Sequence, residues 1–287
     1  MRLHFDAVNF QTEVWLNDRA IGFHQGGFTP FEFRVDKTLE PSKVNTLTVR
    51  VAGPILLTNQ RIEGVGKMET PQWRGAITGG IWQSVRLVAT GETYVDDVFI
   101  KPNIAENAAV FDVSLEHSGE QRQTTDARIT ISPANEPDDI VVDDRATLQL
   151  DPGGTPWQAR LLIPNARYWS PDAPHLYRAT LTLERNGVVL DRITTRFGMR
   201  EFTIRNNRFY LNGKPIFLKA TFFEGLYPVK LAYPDSLEMA MREIRLAKGA
   251  GFNMIRPWRK PPPPMWLDLA DEMGVLTVGS LAIECMD

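Results

Sequence analysis

Through residues 3–51 apolar and polar side chains alternate in short runs, the period of a strand with one buried face. Leu3-His-Phe-Asp-Ala-Val8 and Thr12-Glu-Val-Trp-Leu16 carry the pattern first; Asn17-Asp18 supplies a tight hairpin turn and residues 20–24 return. Residues 31–35 and 46–51 alternate again, with Phe31 and Phe33 at strand period on the inward side. Residues 54–73 show no period, and residues 79–88 give a closing strand. Many short strands with Gly and Pro between them indicate a jelly-roll-like β-sandwich over residues 1–93.

A second all-β stretch occupies residues 94–197. Its strands fall at residues 95–101, 109–116, 127–132, 146–150, 157–163, 177–185 and 188–195. Seven short strands in about a hundred residues match an immunoglobulin-like sandwich in number and spacing. Asn186-Gly187 is the strongest hairpin signal in the chain. The acidic, Pro-containing residues 133–144 read as an exposed loop.

From residue 198 the period changes. Residues 216–220 form a short apolar run, and beyond Asp235-Ser236 the apolar Leu237, Met241, Ile244 and Ala247 fall on one face at helix spacing. Asp235 or Ser236 suits an N-cap, and Gly249 and Gly251 suit the stop. Residues 252–255 read as the next strand, 265–273 as the next helix and 275–278 as a third strand. Strands alternating with helices through short links predict a parallel sheet with right-handed crossovers. Such a sheet needs both faces covered, and a complete (β/α)8 barrel takes roughly 250 residues. Residues 198–287 therefore read as the first three βα units of a TIM barrel left incomplete. The predicted fold class is multi-domain, β plus α/β.

Composition narrows the function by exclusion. A net charge of −3 and the lack of any Lys/Arg run argue against a nucleic-acid partner. No apolar run approaches the roughly 18 residues of a membrane span. The single Cys285 cannot form an intramolecular disulfide, and with no histidine near it in sequence it reads as an incidental or buried thiol rather than a nucleophile. Compartment and oligomeric state stay open, a homo-oligomer of the full-length protein included.

Several motifs, taken in order, add up to a resemblance. Phe5-Asp-Ala-Val-Asn9, Val14-Trp-Leu-Asn17, Gly22-Phe-His-Gln-Gly-Gly-Phe-Thr-Pro-Phe-Glu-Phe33 and Gly80-Ile-Trp-Gln-Ser-Val85 resemble the sugar-binding domain of glycoside hydrolase family 2, which holds β-galactosidases, β-glucuronidases and β-mannosidases. Trp169-Ser-Pro171 with Arg196-Phe-Gly-Met-Arg-Glu201 resembles that family's central sandwich and its exit. Residues 209–219 and 255–284 resemble the opening of its catalytic barrel. The resemblance implies retaining hydrolysis of a β-glycosidic bond, a carbohydrate partner and no cofactor. That chemistry needs two carboxyl groups about 5 Å apart. In the family they sit after the fourth and seventh barrel strands, the first within an Asn-Glu pair. The one such pair here, Asn135-Glu136, lies in the sandwich loop, so both catalytic carboxylates are expected to be absent. The resemblance also implies that several dozen residues normally precede the equivalent of Leu3.

Part of the substrate wall is expected to remain. Arg256 matches the family's arginine at the end of the second barrel strand, where a guanidinium can hold a carboxylate ionised and oriented. Arg259 stands where the family usually has a histidine, and Trp258 is open to two readings, sugar platform or loop packing. Glu284 matches a glutamate that helps bind magnesium in some β-galactosidases. Its partner position here is Met286, a poor ligand for a hard cation, so the reading is a pocket-lining acceptor and no metal. Glu224 ends Thr221-Phe-Phe-Glu224, where the family often carries Asn-Arg-His-Glu; Phe222 and Phe223 read as core. Trp73-Arg74 and Trp82 are expected to set the sugar-binding domain against the barrel mouth. The alternative reading, kept beside the glycosidase, is a non-catalytic carbohydrate-binding or interaction module.

Overall fold

The computed structural model describes residues 1–53, 61–62, 66–67, 79–223, 225, 227–230, 233–257 and 261–279. The alternating N-terminal runs pair into two small antiparallel sheets. One has the order Val85–Val88, Arg2–Phe5, Phe31–Arg34; the other has the order Arg19–Gln25, Gln11–Leu16, Leu47–Ala52. Leu3, Phe5, Val8, Val14, Leu16 and Val35 form the core between them, and the Phe5 ring stacks on Phe31 at 4.8 Å. Asn17 and Asp18 both take positive φ, the demand of the two-residue turn that joins strands with right-handed twist. The aperiodic stretch 54–73 lies mostly outside the described residues.

Seven strands follow in a three-plus-four sandwich. Thr93–Asn103, Ala108–His117 and Gly153–Leu162 form one sheet; Val142–Leu150, Gln123–Pro133, Tyr177–Arg185 and Val188–Phe197 form the other, in that order. Seven strands divided between two sheets match an immunoglobulin-like sandwich in number, with the fourth strand, Val142–Leu150, paired to the third rather than the fifth. Inward-facing Phe111, Val113, Leu115, Ile129, Ile131, Leu181 and Leu183 are buried between the sheets. Asn186 and Gly187, at φ 51° and 77°, make the hairpin that their sequence signals. The expected loop 133–144 is shorter than its composition suggests. Val142 already pairs with Ile131, and Arg128 holds Asp143 across the strands at 2.7–2.8 Å, so the acidic residues at its end decorate an exposed strand face.

The last described segment is a parallel three-stranded sheet, Ala220–Phe223, Met254–Pro257, Leu276–Thr277, in sequential order. Helices Leu237–Gly249 and Pro264–Met273 provide the crossovers, the two helices of the described residues. Ser236 caps the first by accepting from the Met239 N–H at 3.1 Å. Gly274, at φ 74°, ends the second in the left-handed conformation.

Two strand assignments made from sequence shift. The apolar run 216–220 is not the first parallel strand, which begins at Ala220. Ile216 and Leu218 instead pack into an apolar plug with Trp169, Leu211, Met254 and Leu276. The second strand starts two residues later than its apolar onset at Phe252. Asn253 before it is occupied in stitching, its side chain accepting from Lys219 N at 2.8 Å and donating to Phe217 O at 2.9 Å.

That plug joins sandwich to parallel sheet. Trp169, 1% exposed, projects from a sandwich loop and donates its indole N–H to the Asp271 carbonyl at 2.8 Å. Asn212 donates to the Trp169 carbonyl, Lys248 donates to the Pro171 carbonyl, and Arg196 pairs with Asp268 and Glu272 of the second helix.

Candidate functional site

Alternation along the parallel strands sorts their side chains onto two faces. Ile255 points to the helices, in a cluster with Ala240, Ile244, Trp266, Leu269, Ala270 and Val275, and Phe223 joins it by stacking on Trp266 at 5.2 Å. Met254 and Leu276 belong to the opposite face, on the Trp169 plug. Two residues further along that face stand Phe222 and Arg256, paired in register across the first two strands. Both are exposed, Phe222 at 51%, and Val278 beyond the third strand is 41% exposed. The row lies at the carboxyl ends of the strands, where parallel α/β units place ligands.

Of the five residues singled out from sequence for this wall, Arg256 is described. Glu224, Trp258, Arg259 and Glu284 lie outside the described residues, as do Trp73-Arg74, Cys285 and Met286. The two phenylalanines read together as core divide: Phe223 packs under the helices and Phe222 faces the row. Among the described residues no group of three or more His, Cys, Asp or Glu side chains is placed to hold a metal.

The loop leaving the first strand is tied down at its described points. The Tyr227 hydroxyl donates to Glu243 Oε2 at 3.0 Å, and Asp235 Oδ1 accepts from the backbone of Val229 and Lys230. Burial pushes the Glu243 carboxyl above its usual range, with the Tyr227 hydrogen bond opposing that shift. Burial first, then the neighbouring carboxylate, raises the Tyr227 phenol well above its ordinary value. Sequence reasoning passed over this pair. The signal available was an acid at 243 directly beside Ile244 of the buried helix stripe.

In the N-terminal unit, Trp82 donates its indole N–H to the Gly27 carbonyl at 2.7 Å and meets Phe28 edge-on at 5.6 Å. His24 stacks on Phe31 at 4.1 Å, and burial lowers its pKa below the ordinary imidazole value. The aromatic segment 24–33 thus packs largely upon itself. Asn135 and Glu136 sit together on an exposed turn of the sandwich, the amide donating to the carboxylate at 3.1 Å.

Two β-sandwiches in series, the second plugged by a tryptophan loop into a parallel strand–helix unit, define a modular, mostly β class with an α/β element. The model described as the sugar binding domain of glycosyl hydrolases family 2 matches residues 1–91, and that described as glycosyl hydrolases family 2 matches residues 93–200. The chain belongs to glycosyl hydrolases family 2. It is 26% identical over 281 residues to the β-galactosidase of Thermoanaerobacter pseudethanolicus, covering 96% of this chain and 36% of that protein. It is 28% identical over 285 residues to a putative β-glucuronidase of Formosa agariphila, covering 97% of this chain and 25% of that protein. Among solved structures, a putative β-galactosidase from Bacteroides fragilis has the same fold, with a TM-score of 0.84 at 18% identity over 98% of this chain and 42% of that one. Bacteroides uniformis β-glucuronidase 2, solved covalently bound to cyclophellitol-6-carboxylate aziridine, gives 0.77 at 25% identity over 96% of this chain and 33% of that one. The chain spans between a quarter and just over a third of the length of these curated relatives.

Proposed function

We propose that this chain is the scaffold and part of the sugar-facing wall of a retaining β-glycosidase, and that its residues 198–287 open a (β/α)8 barrel. The observation that carries the reading is Arg256, exposed beside Phe222 at the carboxyl end of the middle parallel strand. A guanidinium there orients a carboxylate, whether of the enzyme or of a uronic acid, through paired charge-assisted hydrogen bonds. An aromatic face next to it suits the apolar face of a pyranose. Relatives named β-galactosidase and β-glucuronidase support a carbohydrate substrate, and the covalent complex of the Bacteroides enzyme supports a retaining route for that relative.

Glu224, Trp258, Arg259 and Glu284 complete the wall in this reading, as the resemblance places them. The bond-breaking carboxylate pair is not among these 287 residues. Asn135-Glu136, the one Asn-Glu pair, is a solvent-facing sandwich turn and performs no such role.

The test is sugar binding. Titration of the 15N-labelled chain with D-glucuronate and D-galactose is expected to shift amides around residues 222 and 256. Arg256→Ala is expected to weaken glucuronate at least about tenfold without lowering thermal stability, because the side chain is exposed. Binding insensitive to Arg256, or shifts confined to the sandwiches, would refute the assignment.

A further inference from the structure

Glu243 occupies a place that a plain helix residue would fill more cheaply. It sits on helix Leu237–Gly249 directly before the fully buried Ile244, half-buried, where a carboxyl group pays for lost hydration. Three elements meet at it. The loop from the first strand brings the Tyr227 hydroxyl, from a residue only 5% exposed, to 3.0 Å. The second helix brings Trp266, fully buried, whose indole N–H opposes the upward shift of Glu243 without reaching full hydrogen-bond geometry. Trp266 in turn stacks on Phe223, the last residue of the first strand. The titratable group facing Glu243 is Tyr227, with Asp235 acting on that phenol from the far end of the loop, while the second helix presents only the non-titrating indole.

We infer that Glu243 is a positioning residue for the loop between the first parallel strand and its helix: it anchors that loop through the Tyr227 hydroxyl. The loop contains Glu224 in sequence and leaves the strand end next to the Phe222–Arg256 row. Where it leaves the strand it borders the wall described above, and the functional weight of the anchor rests on that reading. Asp235 closes the loop's other end by accepting from Val229 N and Lys230 N, and Tyr227 is a fixed point between the strand and this turn. A hydrocarbon side chain at 243 would pack as well against Trp266 but would leave the buried phenol without an acceptor.

The test uses the 287-residue chain. Amide hydrogen exchange across residues 225–235 is expected to speed about tenfold in Tyr227→Phe, with the sandwich strands and the core of the first helix unchanged. Glu243→Leu is expected to do the same, while Glu243→Gln, which keeps a carbonyl acceptor, restores most of the protection. The 15N-indole resonance of Trp266, identified with Trp266→Phe, is expected to titrate with a midpoint above the ordinary carboxyl range, and to stop titrating in Glu243→Gln. Unchanged loop exchange in Tyr227→Phe, equal acceleration everywhere, or a Glu243→Gln no better than Glu243→Leu would overturn the anchor. Glucuronate titration of the same variants reads the wall separately: a loosened loop with unaltered sugar affinity leaves the anchor standing and removes its part in the site.

Discussion

Trp169 of the sandwich and Asp271 of the second helix are joined by one hydrogen bond, indole Nε1 to backbone carbonyl at 2.8 Å. The indole is 1% exposed and lies among Leu211, Met254 and Leu276, with the Arg200 guanidinium 5.1 Å above its ring. This side chain therefore sits at the centre of the plug under the parallel sheet and helps couple the sheet to the unit before it. Trp169→Phe removes the donor and leaves the part-buried Asp271 carbonyl without that partner, expected to cost about 1 kcal/mol. Trp169→Ala also opens a cavity, expected to cost about 3–5 kcal/mol. Urea unfolding followed by probes in the parallel unit checks both, and a Phe variant as stable as the wild type would remove the hydrogen bond from the account.

Gly274 shows how tightly the same seam is packed. It ends the second helix at φ 74°, and a Cβ there would run into the Pro171 carbonyl of the sandwich loop. Gly274→Ala combines the left-handed penalty with a backbone clash and is expected to cost more than about 1 kcal/mol. A Cβ at Gly213, also at positive φ, would meet no atom of the described residues within 4 Å beyond its chain neighbours. Gly213→Ala therefore serves as the comparison and is expected to be the milder of the two.

Much of this architecture was legible from the chain. Asn17-Asp18 and Asn186-Gly187 announced their hairpins, because few residues accept two consecutive positive φ values, and Asp235-Ser236 announced a cap that falls to Ser236. The parallel unit was harder. Ile216 and Leu218 are apolar because they fill the plug under the sheet, a tertiary demand that imitates a strand in sequence. The real first strand, Ala220–Phe223, holds two adjacent phenylalanines that serve opposite faces, and no period could tell which faced the helices. Glu243 was missed for a related reason. Its partner Tyr227 lies in a loop with no period, so only the fold brings the two together.

Ser236→Ala removes the side-chain acceptor for Met239 N at the start of the first helix. The expected loss is about 1 kcal/mol. It should appear as faster amide exchange in the helix's first turn, leaving the sandwich strands unaffected.

The Glu243 carboxyl is held above its ordinary value of 4.5 by burial. The folded chain binds that proton more tightly than the unfolded chain does. Its contribution is therefore fully present below pH 4.5 and is lost as pH rises through the raised value. Asp143 and Asp151 run the other way, because Arg128 and Arg122 hold them below the usual range and their contribution is lost as pH falls. Subtracting the stability of Glu243→Gln from that of the wild type at each pH isolates the first effect. The difference is expected to move against the wild type from about pH 4.5 upward, and a flat or oppositely sloped difference would contradict the buried carboxyl.

The central claim, a glycosidase scaffold with part of its pocket wall and without its catalytic pair, is tested most directly by turnover. The purified 287-residue chain is incubated with aryl β-D-galactoside, β-D-glucuronide and β-D-mannoside, and aglycone release is followed against a protein-free blank. The account predicts release indistinguishable from the blank for all three. Sustained release that scales with protein concentration and survives repurification would mean that the carboxylate pair lies within these residues after all, and would contradict it.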